Sequence, residues 1–258
     1  LEMSRLNDLL VCEARTVEEN IQIVIAESIR LHGCQPIETK YLSGDQGIAR
    51  QLSFQPDPGE SLQLEKVVAI YTSNDVSDPK STAIQTLKDA LSAGYQELKE
   101  KHLASWEKIW SVSDIKISGN LEDQTLVRFN LYHNIIATPT HRCLPIGARG
   151  LSTQVYQGAA FWDQEIFNLP MFIYTQPEVA KNILKYRYYT LDGAKKKARR
   201  LGYRGAFFAW TSGKTGEELF PDFFFTDVLS GRKIRNHFND WQIHISPDVV
   251  YAIWKYVQ

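Results

Sequence analysis

The chain has 258 residues, of which 43% are hydrophobic and 23% are charged, and its net charge is −1. This composition is ordinary for a globular protein and excludes a global field that would favour nucleic acid or an anionic membrane. No apolar run approaches the roughly 20 residues that a membrane helix needs. The widely spaced Cys12, Cys34 and Cys143 argue against a disulfide framework and favour a reducing, cytoplasmic location.

Residues 1–77 are predicted to form part of an antiparallel β-sandwich. Ile21–Ile25 is rich in β-branched residues and has the pattern of a half-buried strand, and Leu62–Tyr71 is a second run of this kind. The segments Gly44–Gly47 and Gln55–Gly59 supply the residues that tight turns need. The first strands of such a sandwich would be missing.

Residues 78–110 change to a helical period and are predicted to form two linker helices. Asp78 is placed as an N-cap and Pro79 as the first helical residue. Apolar residues then recur every three or four positions at Ile84, Leu87, Leu91, Tyr95 and Leu98. A break is expected after Leu98, and the apolar stripe continues at Leu103, Trp106 and Trp110.

Residues 111–258 are predicted to be mainly helical. Thr175–Glu178 has the spacing of a capping box and would open a single long helix that ends at Gly202. Ser246 is expected to cap a further helix, with Pro247 as its first residue. That helix shows no stop signal before Gln258, so we expect the chain to be a piece of a longer protein; a C-terminus docked against a neighbour is the alternative.

The segment Ile146–Glu165 combines glycines, aromatic rings and charged side chains in a pattern typical of sugar binding. An aromatic ring can cover the C–H face of a pyranose, and carboxylates accept hydrogen bonds from its hydroxyls. Trp162 and Asp163 are adjacent and could reach one ligand together, while Arg149 is a bidentate donor. The alternatives are a helix with an apolar face and a structural ion pair between Arg149 and Asp163.

The segment Gly205–Glu218 repeats this chemistry with Trp210, glycines and the paired acids Glu217 and Glu218. Its Gly213-Lys214-Thr215 is not a phosphate loop, because the first required glycine is replaced by Phe208.

Other motifs favour structural roles. The basic run Lys195–Arg200 is predicted to be a solvated helix end rather than a nucleic-acid patch. His244 precedes a helix start, where its ring could meet a ligand, although a hydrogen-bonded structural histidine is the default. No spacing of histidines and cysteines predicts a metal site, and no serine-hydrolase elbow is present.

Several motifs in fixed order resemble glycoside hydrolase family 65, strongly over residues 110–258 and by layout only over residues 1–110. They are Ile146–Leu151, Tyr156-x-Gly158-x-x-Phe161-Trp162-Asp163-x-Glu165, Tyr186–Tyr188, Gly205-Ala206-x-x-x-Trp210, Gly216–Glu218 and His244-Ile245 before Asp248. The resemblance implies the end of a β-sandwich, linker helices and the first half of an (α/α)6 barrel.

The resemblance also implies inverting phosphorolysis of an α-linked glucosyl disaccharide, with inorganic phosphate as co-substrate and no cofactor. Trp162 and Asp163 would line the glucosyl pocket, with Arg149, Trp210, Glu217 and His244 as weaker candidates. The general acid would lie beyond Gln258 in the remainder of the same enzyme, so no catalytic residue is assigned. A homodimer is possible, as in many relatives.

Two departures from the family pattern bear on the acceptor. Gln154 and Ala159 stand where many members carry Glu and His. Their loss leaves the acceptor preference open and could alter the reaction. Two alternatives to phosphorolysis are therefore hydrolysis of an α-glucosidic disaccharide and a non-catalytic carbohydrate-binding module.

Overall fold

The computed structural model describes residues 1–33, 35–44, 47–139, 143–151 and 155–258, and these form two compact units, Leu1–Glu107 and Lys108–Gln258. The first unit is rich in strands and the second in helices. A sheet-rich region followed by helices is the order that the sequence predicts. Each unit is described by itself below.

The first unit contains a four-stranded antiparallel sheet of order β1-β2-β3-β6 and a separate hairpin, β4-β5. The strands are β1 (Glu2–Leu6), β2 (Leu9–Arg15), β3 (Gln22–His32), β4 (Glu38–Gly44), β5 (Gly47–Ser53) and β6 (Gln63–Thr72). Both predicted strands are confirmed, although each was predicted to begin one residue early, at Ile21 for β3 and at Leu62 for β6. Of the predicted turn at Gly44–Gly47, residues 45 and 46 lie outside the described residues.

Buried and more exposed residues alternate along β3, and buried side chains of the sheet form the core of the first unit. Val11, Val24 and Ala26 are buried and belong to one apolar cluster with Ala83 and Leu87 of the following helix. That helix, α1 (Pro79–Ser113), begins as predicted, and the Asp78 carboxylate accepts a hydrogen bond from the Ser81 N–H at 3.1 Å.

The break between the two linker helices lies earlier than predicted. Gly94 has φ 80° and ψ 167°, which is non-helical, whereas the sequence pattern placed the break after Leu98. A left-handed φ costs glycine little, so the chain breaks at Gly94 although the apolar stripe runs on past it.

The second unit consists of helices joined by long segments. The α-helices are α2 (Leu121–Ala137), α3 (Leu169–Thr175), α4 (Pro177–Tyr189), α5 (Leu191–Arg200), α6 (Phe238–Trp241) and α7 (Ile245–Val257). A 3₁₀ turn at Val155–Gly158 and a π-helical turn at Gln164–Asn168 precede α3, and the hairpin of β7 (Phe223–Thr226) and β8 (Lys233–Arg235) precedes α6.

The predictions of two helix starts and of one long helix are wrong. Thr175 does not cap α4, because its hydroxyl donates to the Met171 carbonyl at 2.7 Å and Gln176 takes the cap position. The long helix divides at Thr190, whose hydroxyl bonds back to the Tyr186 carbonyl at 2.7 Å and so competes with the helical pattern.

The end of α5 agrees with the prediction, whereas the start of α7 does not. Gly202 has φ 82°, as expected of a residue that closes a helix. The α7 helix begins at Ile245, one residue before the predicted cap. The Ser246 hydroxyl instead accepts the N–H of Phe208 at 3.1 Å and so ties the helix start to the Gly205–Glu218 segment.

Candidate functional site

A cavity of about 440 Å³ lies in the second unit between α2, the segment after it and the start of the π-helical turn. Its walls offer amides, one imidazole, one guanidinium, one carboxylate and aromatic rings. The lining residues are Phe129, Asn130, His133, Asn134, Ala137, Ile146, Gly147, Ala148, Arg149, Gly150, Leu151, Phe161, Asp163, Gln164 and Asn168. This volume lies in the range of small-molecule pockets.

The glycines of the cavity wall permit close backbone approach. A Cβ on Gly147 would lie 3.3 Å from the Cα of Gly158, so two backbone segments meet there with little space between them. Gly150 has φ 57° and donates its N–H to the Gly147 carbonyl at 2.9 Å. This turn carries Arg149 at its outer side, where its guanidinium lies 5.8 Å from the Tyr156 ring centre.

Asp163 also lines this cavity and is exposed. It has helical backbone angles and immediately precedes the π-helical turn. Among the residues that the structure describes, none donates a hydrogen bond to its carboxylate and no ion pair joins it to Arg149. The structure thus brings Arg149 and Asp163 to one cavity without the structural ion pair that was the alternative.

Trp162 and His244 form a second group. The Trp162 indole is half-buried, and its ring centre lies 5.1 Å from the His244 ring at an interplanar angle of 89°. Phe167 flanks the same indole at 5.5 Å. Two residues predicted for the sugar pocket therefore contact each other, and neither lines the cavity that holds Asp163 and Arg149. Their place in a sugar site stays a prediction.

Trp210 and Glu217 lie in different surroundings. Trp210 packs in an aromatic cluster with Phe161 at 5.5 Å and Phe220 at 4.9 Å, so it touches the cavity only through Phe161. Glu217 pairs with Lys196 at 2.7 Å on the surface, beside a smaller pocket of about 120 Å³. Their assignment to the sugar site also stays a prediction.

A buried ion pair supports the wall that carries Asp163. Glu165 and Arg187 are 2% and 1% exposed, and the guanidinium binds both carboxylate oxygens, Nε to Oε1 at 2.8 Å and Nη2 to Oε2 at 2.9 Å. Burial alone would lower the pKa of Arg187, but the Glu165 carboxylate outweighs it and raises that pKa. Arg187 also donates to the Phe161 carbonyl and the Ser212 hydroxyl, both at 3.1 Å.

The helical spacing of Arg187 in the sequence is a signal for this buried pair. Arg187 follows Ile183 by four positions and Leu184 by three, so the helical period puts it on the buried stripe of α4. A guanidinium on a buried stripe needs a carboxylate partner.

A second buried pair corrects the prediction for the basic run. Lys197 is 5% exposed and its Nζ lies 2.9 Å from Oε2 of Glu218, so one member of the supposed solvated helix end lies inside. Glu218 also accepts the N–H groups of Trp210 at 2.8 Å and Thr211 at 2.9 Å. The other basic residues of the run, Lys195, Lys196, Arg199 and Arg200, are exposed.

Within the described ranges, no three side chains of His, Cys, Asp or Glu are grouped so that they could hold a metal ion. No helix among these residues combines the length and the apolar character needed to cross a membrane. Of the two departures from the family pattern, Ala159 is buried, and Gln154 lies outside the described residues.

Two domain families match this chain in the order that the fold suggests. The N-terminal domain of glycosyl hydrolase family 65 matches residues 2–109, and the central catalytic domain of the same family matches residues 128–258. The chain therefore belongs to glycoside hydrolase family 65.

Curated relatives refine this comparison. The chain is 55% identical over 95% of its length to a 1,2-alpha-glucosylglycerol phosphorylase of Bacillus selenitireducens, and it covers 32% of that enzyme. It is 40% identical over 95% of its length to a nigerose phosphorylase of Lachnoclostridium phytofermentans (32% of that enzyme) and to a kojibiose phosphorylase of Halothermothrix orenii (33%). The chain thus spans about a third of the length of these relatives.

A solved structure supports the fold. A protein from the human microbiome, provisionally assigned as a kojibiose phosphorylase, matches all of this chain and 32% of its own chain with a TM-score of 0.78. The sequence identity is 24%, so this likeness concerns the fold alone.

Proposed function

We propose that the full-length protein catalyses inverting phosphorolysis of an α-linked glucosyl disaccharide or glucoside. A phosphate oxygen would form the new bond to the anomeric carbon as the glycosidic bond breaks. A general acid would protonate the leaving oxygen, which yields β-glucose 1-phosphate and a released acceptor. The observation that carries the proposal is 55% identity, over 95% of the chain, to an enzyme named as a glucosylglycerol phosphorylase.

The chemistry of phosphate explains why a single carboxylic acid suffices. An inverting glycosidase needs a second carboxylate to activate water, and phosphate is already an anionic nucleophile. By family resemblance, the general acid and most phosphate contacts lie beyond Gln258. None of Asp163, Glu165, Glu217 or Glu218 is proposed for that role.

Within this chain, the proposed sugar site centres on the cavity that Asp163 and Arg149 line. Asp163 is an exposed acceptor for sugar hydroxyls, and Arg149 is a donor on a turn that lines the same cavity. Trp162 would supply ring contact next to Asp163, with His244 against its indole. Trp210 and Glu217 remain candidates for the outer wall.

The finer architecture is also a proposal. The family layout favours a partial β-sandwich over residues 1–77, linker helices over 78–110 and the first half of an (α/α)6 barrel over 111–258. Two features of the second unit fit half of such a barrel, namely consecutive helices and a cavity lined by the C-terminal half of α2 and the segments that follow it. The resemblance implies a homodimer, and the cysteine usage favours a cytoplasmic location.

The decisive experiment incubates the full-length enzyme with α-glucosylglycerol, nigerose, kojibiose and trehalose, each with and without inorganic phosphate. We expect β-glucose 1-phosphate from at least one substrate and only when phosphate is present. Free glucose formed equally with and without phosphate would establish hydrolysis instead. No turnover of any substrate, with sugar binding retained, would favour the carbohydrate-binding alternative.

A further inference from the structure

Gln164 is a buried polar residue between Asp163 and Glu165 that the sequence analysis did not select. It is 2% exposed and is the first residue of the π-helical turn Gln164–Asn168. Single π-helical turns are rare and occur frequently at functional sites. A buried primary amide must also satisfy its donors and acceptor within the protein. Its partners therefore show what it holds in place.

The Gln164 amide joins two walls of the cavity. Its Oε1 accepts the backbone N–H of Ile146 at 3.0 Å, at the start of the segment that carries Arg149. Its Nε2 donates to Oε1 of Glu165 at 2.6 Å. The two partners fix the amide orientation, because an N–H can only donate and a paired carboxylate can only accept.

The same network is anchored on its far side. Glu165 is held by both nitrogens of the Arg187 fork, and Arg187 also binds the Phe161 carbonyl and the Ser212 hydroxyl. Ser212 in turn exchanges backbone hydrogen bonds with Ala160 at 2.8 and 3.0 Å. The carboxylate that accepts the hydrogen bond of the Gln164 amide is therefore fixed. Through its own hydrogen bond, the amide holds the Ile146 backbone in place relative to that carboxylate.

We propose that Gln164 is a positioning residue that sets the place of the Arg149 turn relative to Asp163. This inference rests on the proposed function, in which that cavity holds the glucosyl unit. Gln164 itself acts through Ile146 and Glu165. Without its amide, the buried N–H of Ile146 would lose its acceptor, and the Ile146–Leu151 segment would shift to find another.

The first test is Gln164→Met in the full-length enzyme, since methionine keeps the length of the side chain and removes both hydrogen bonds. Displacement of a positioning group by about 1 Å can cost roughly 100-fold in rate. We expect kcat/KM for the disaccharide to fall by roughly 10-fold to 100-fold, whereas KM for phosphate changes by less than about twofold. The matched control is Gln176→Met.

Gln176 makes a suitable control because it lies past the other end of the same helical segment, at the C-terminal end of α3. Its Nε2 donates to the Ser113 hydroxyl at 3.4 Å, and it does not line the cavity. We expect its kinetic constants to stay within about twofold of the unsubstituted enzyme. Equal kinetic losses in both variants would overturn the positioning role.

The second test is Gln164→Glu, which separates hydrogen bonding from packing by pH. The protonated carboxyl offers one donor and one acceptor, as the amide does, whereas the ionised form has acceptors only and faces Glu165. Burial and that neighbouring carboxylate raise the pKa of the introduced carboxyl, and Arg187 behind Glu165 opposes them. We expect kcat/KM relative to the unsubstituted enzyme to recover at low pH and to fall as pH rises.

The two variants together keep the inference falsifiable. Gln164→Met should show a pH-independent ratio, so a flat ratio for both variants would overturn the hydrogen-bonding role. If Gln164→Met does not fold, the pH profile of Gln164→Glu alone decides. Wild-type kinetic constants in either variant at every pH would also overturn the inference.

Failure of the proposed function is detected separately by glucose binding, measured by titration calorimetry. If the unsubstituted enzyme binds glucose but forms no sugar phosphate, phosphorolysis is wrong. Gln164 is then judged by affinity: about tenfold weaker binding in Gln164→Met, with Gln176→Met unchanged, supports the inference. If the unsubstituted enzyme neither forms sugar phosphate nor binds glucose, both proposals are overturned.

Discussion

The segments Tyr156–Glu165 and Gly205–Glu218 have similar residue compositions, yet their acidic side chains lie in different surroundings. Each segment carries at least one glycine, aromatic residues and two acids. In the first, Asp163 is exposed to a cavity and Glu165 is buried against Arg187. In the second, Glu217 pairs with a surface lysine and Glu218 is buried against Lys197.

The difference shows what local composition leaves open. An acid beside a tryptophan can serve a ligand or the protein's own backbone. Glu218 accepts the N–H groups of Trp210 and Thr211, so it satisfies backbone donors of its own loop. Among the described residues, none donates a hydrogen bond to the Asp163 carboxylate. This difference makes Asp163 the better ligand-binding candidate.

The largest expected effect is on stability and comes from Arg187→Met. Removal of one partner from a buried pair leaves an uncompensated charge, here that of Glu165, and costs about 3–5 kcal/mol. Urea denaturation of the full-length enzyme measures the loss. The control is Lys181→Met, whose exposed pair with Glu178 spans 3.4 Å and should contribute at most about 1 kcal/mol. Equal losses would contradict the special role of Arg187.

Lys197→Met should also destabilise, by about 2–3 kcal/mol, because Glu218 loses its buried cation but keeps its backbone donors. Unlike the first pair, this one makes no direct hydrogen bond to Phe161–Glu165 among the described residues. We therefore expect kcat/KM of the folded enzyme to stay within about threefold of the unsubstituted value. A fall of kcat/KM as large as that from an Asp163 variant would erase the contrast between the two segments.

Asp163→Asn tests the exposed acid directly. Hydrogen bonds to sugar hydroxyls that strengthen in the transition state supply several kcal/mol, so kcat/KM should fall by roughly 100-fold, or about 2.7 kcal/mol. The melting temperature should be nearly unchanged, because the side chain is exposed. Asp192→Asn, an exposed acid on α5 that does not line the cavity, is the control. Unchanged kinetics would remove Asp163 from the site.

Trp162→Ala should raise KM for the disaccharide by about tenfold, since it removes a ring surface next to Asp163. The indole is half-buried against Phe167 and His244, so some stability is lost as well, less than the ~3–5 kcal/mol of a fully buried tryptophan. Trp162→Phe keeps an aromatic face and should recover most of the affinity. Steady-state kinetics and a melting curve on both variants would show whether packing alone is affected.

The smallest effect is expected at Asp114, where the bidentate Arg128 guanidinium lowers the pKa of the carboxyl. A lowered folded-state pKa means that the stabilisation is present above the unfolded value of 3.8 and is lost as pH falls through the folded value. Asp114→Asn should therefore be less stable than the unsubstituted protein at pH 6, and the gap should close below pH 4. A gap independent of pH would contradict this assignment.

The parts of the fold that follow local rules could be predicted from the sequence. The strands within β3 and β6 and the start of α1 at Pro79 follow from alternation and from an N-cap followed by proline. Thr190 was not identified as a break, because its competing hydrogen bond to Tyr186 depends on the backbone already being helical.

The candidate site was only partly predictable. Arg149 and Asp163 share a cavity, but the partners of Glu165 and Glu218 depend on contacts across 22 and 21 residues that no local pattern specifies. The helical period alone would have placed Arg187 on a buried face. Gln164 had no signal in a single sequence, because its role depends on where the Ile146 backbone comes to lie.

A crystal structure of the full-length enzyme soaked with glucose would test the central claim most directly. We predict a glucose ring in the cavity between α2 and the Ile146–Leu151 segment, with its hydroxyls within hydrogen-bond distance of the Asp163 carboxylate. Glucose bound elsewhere, with Asp163 making no contact to it, would contradict this assignment of the site.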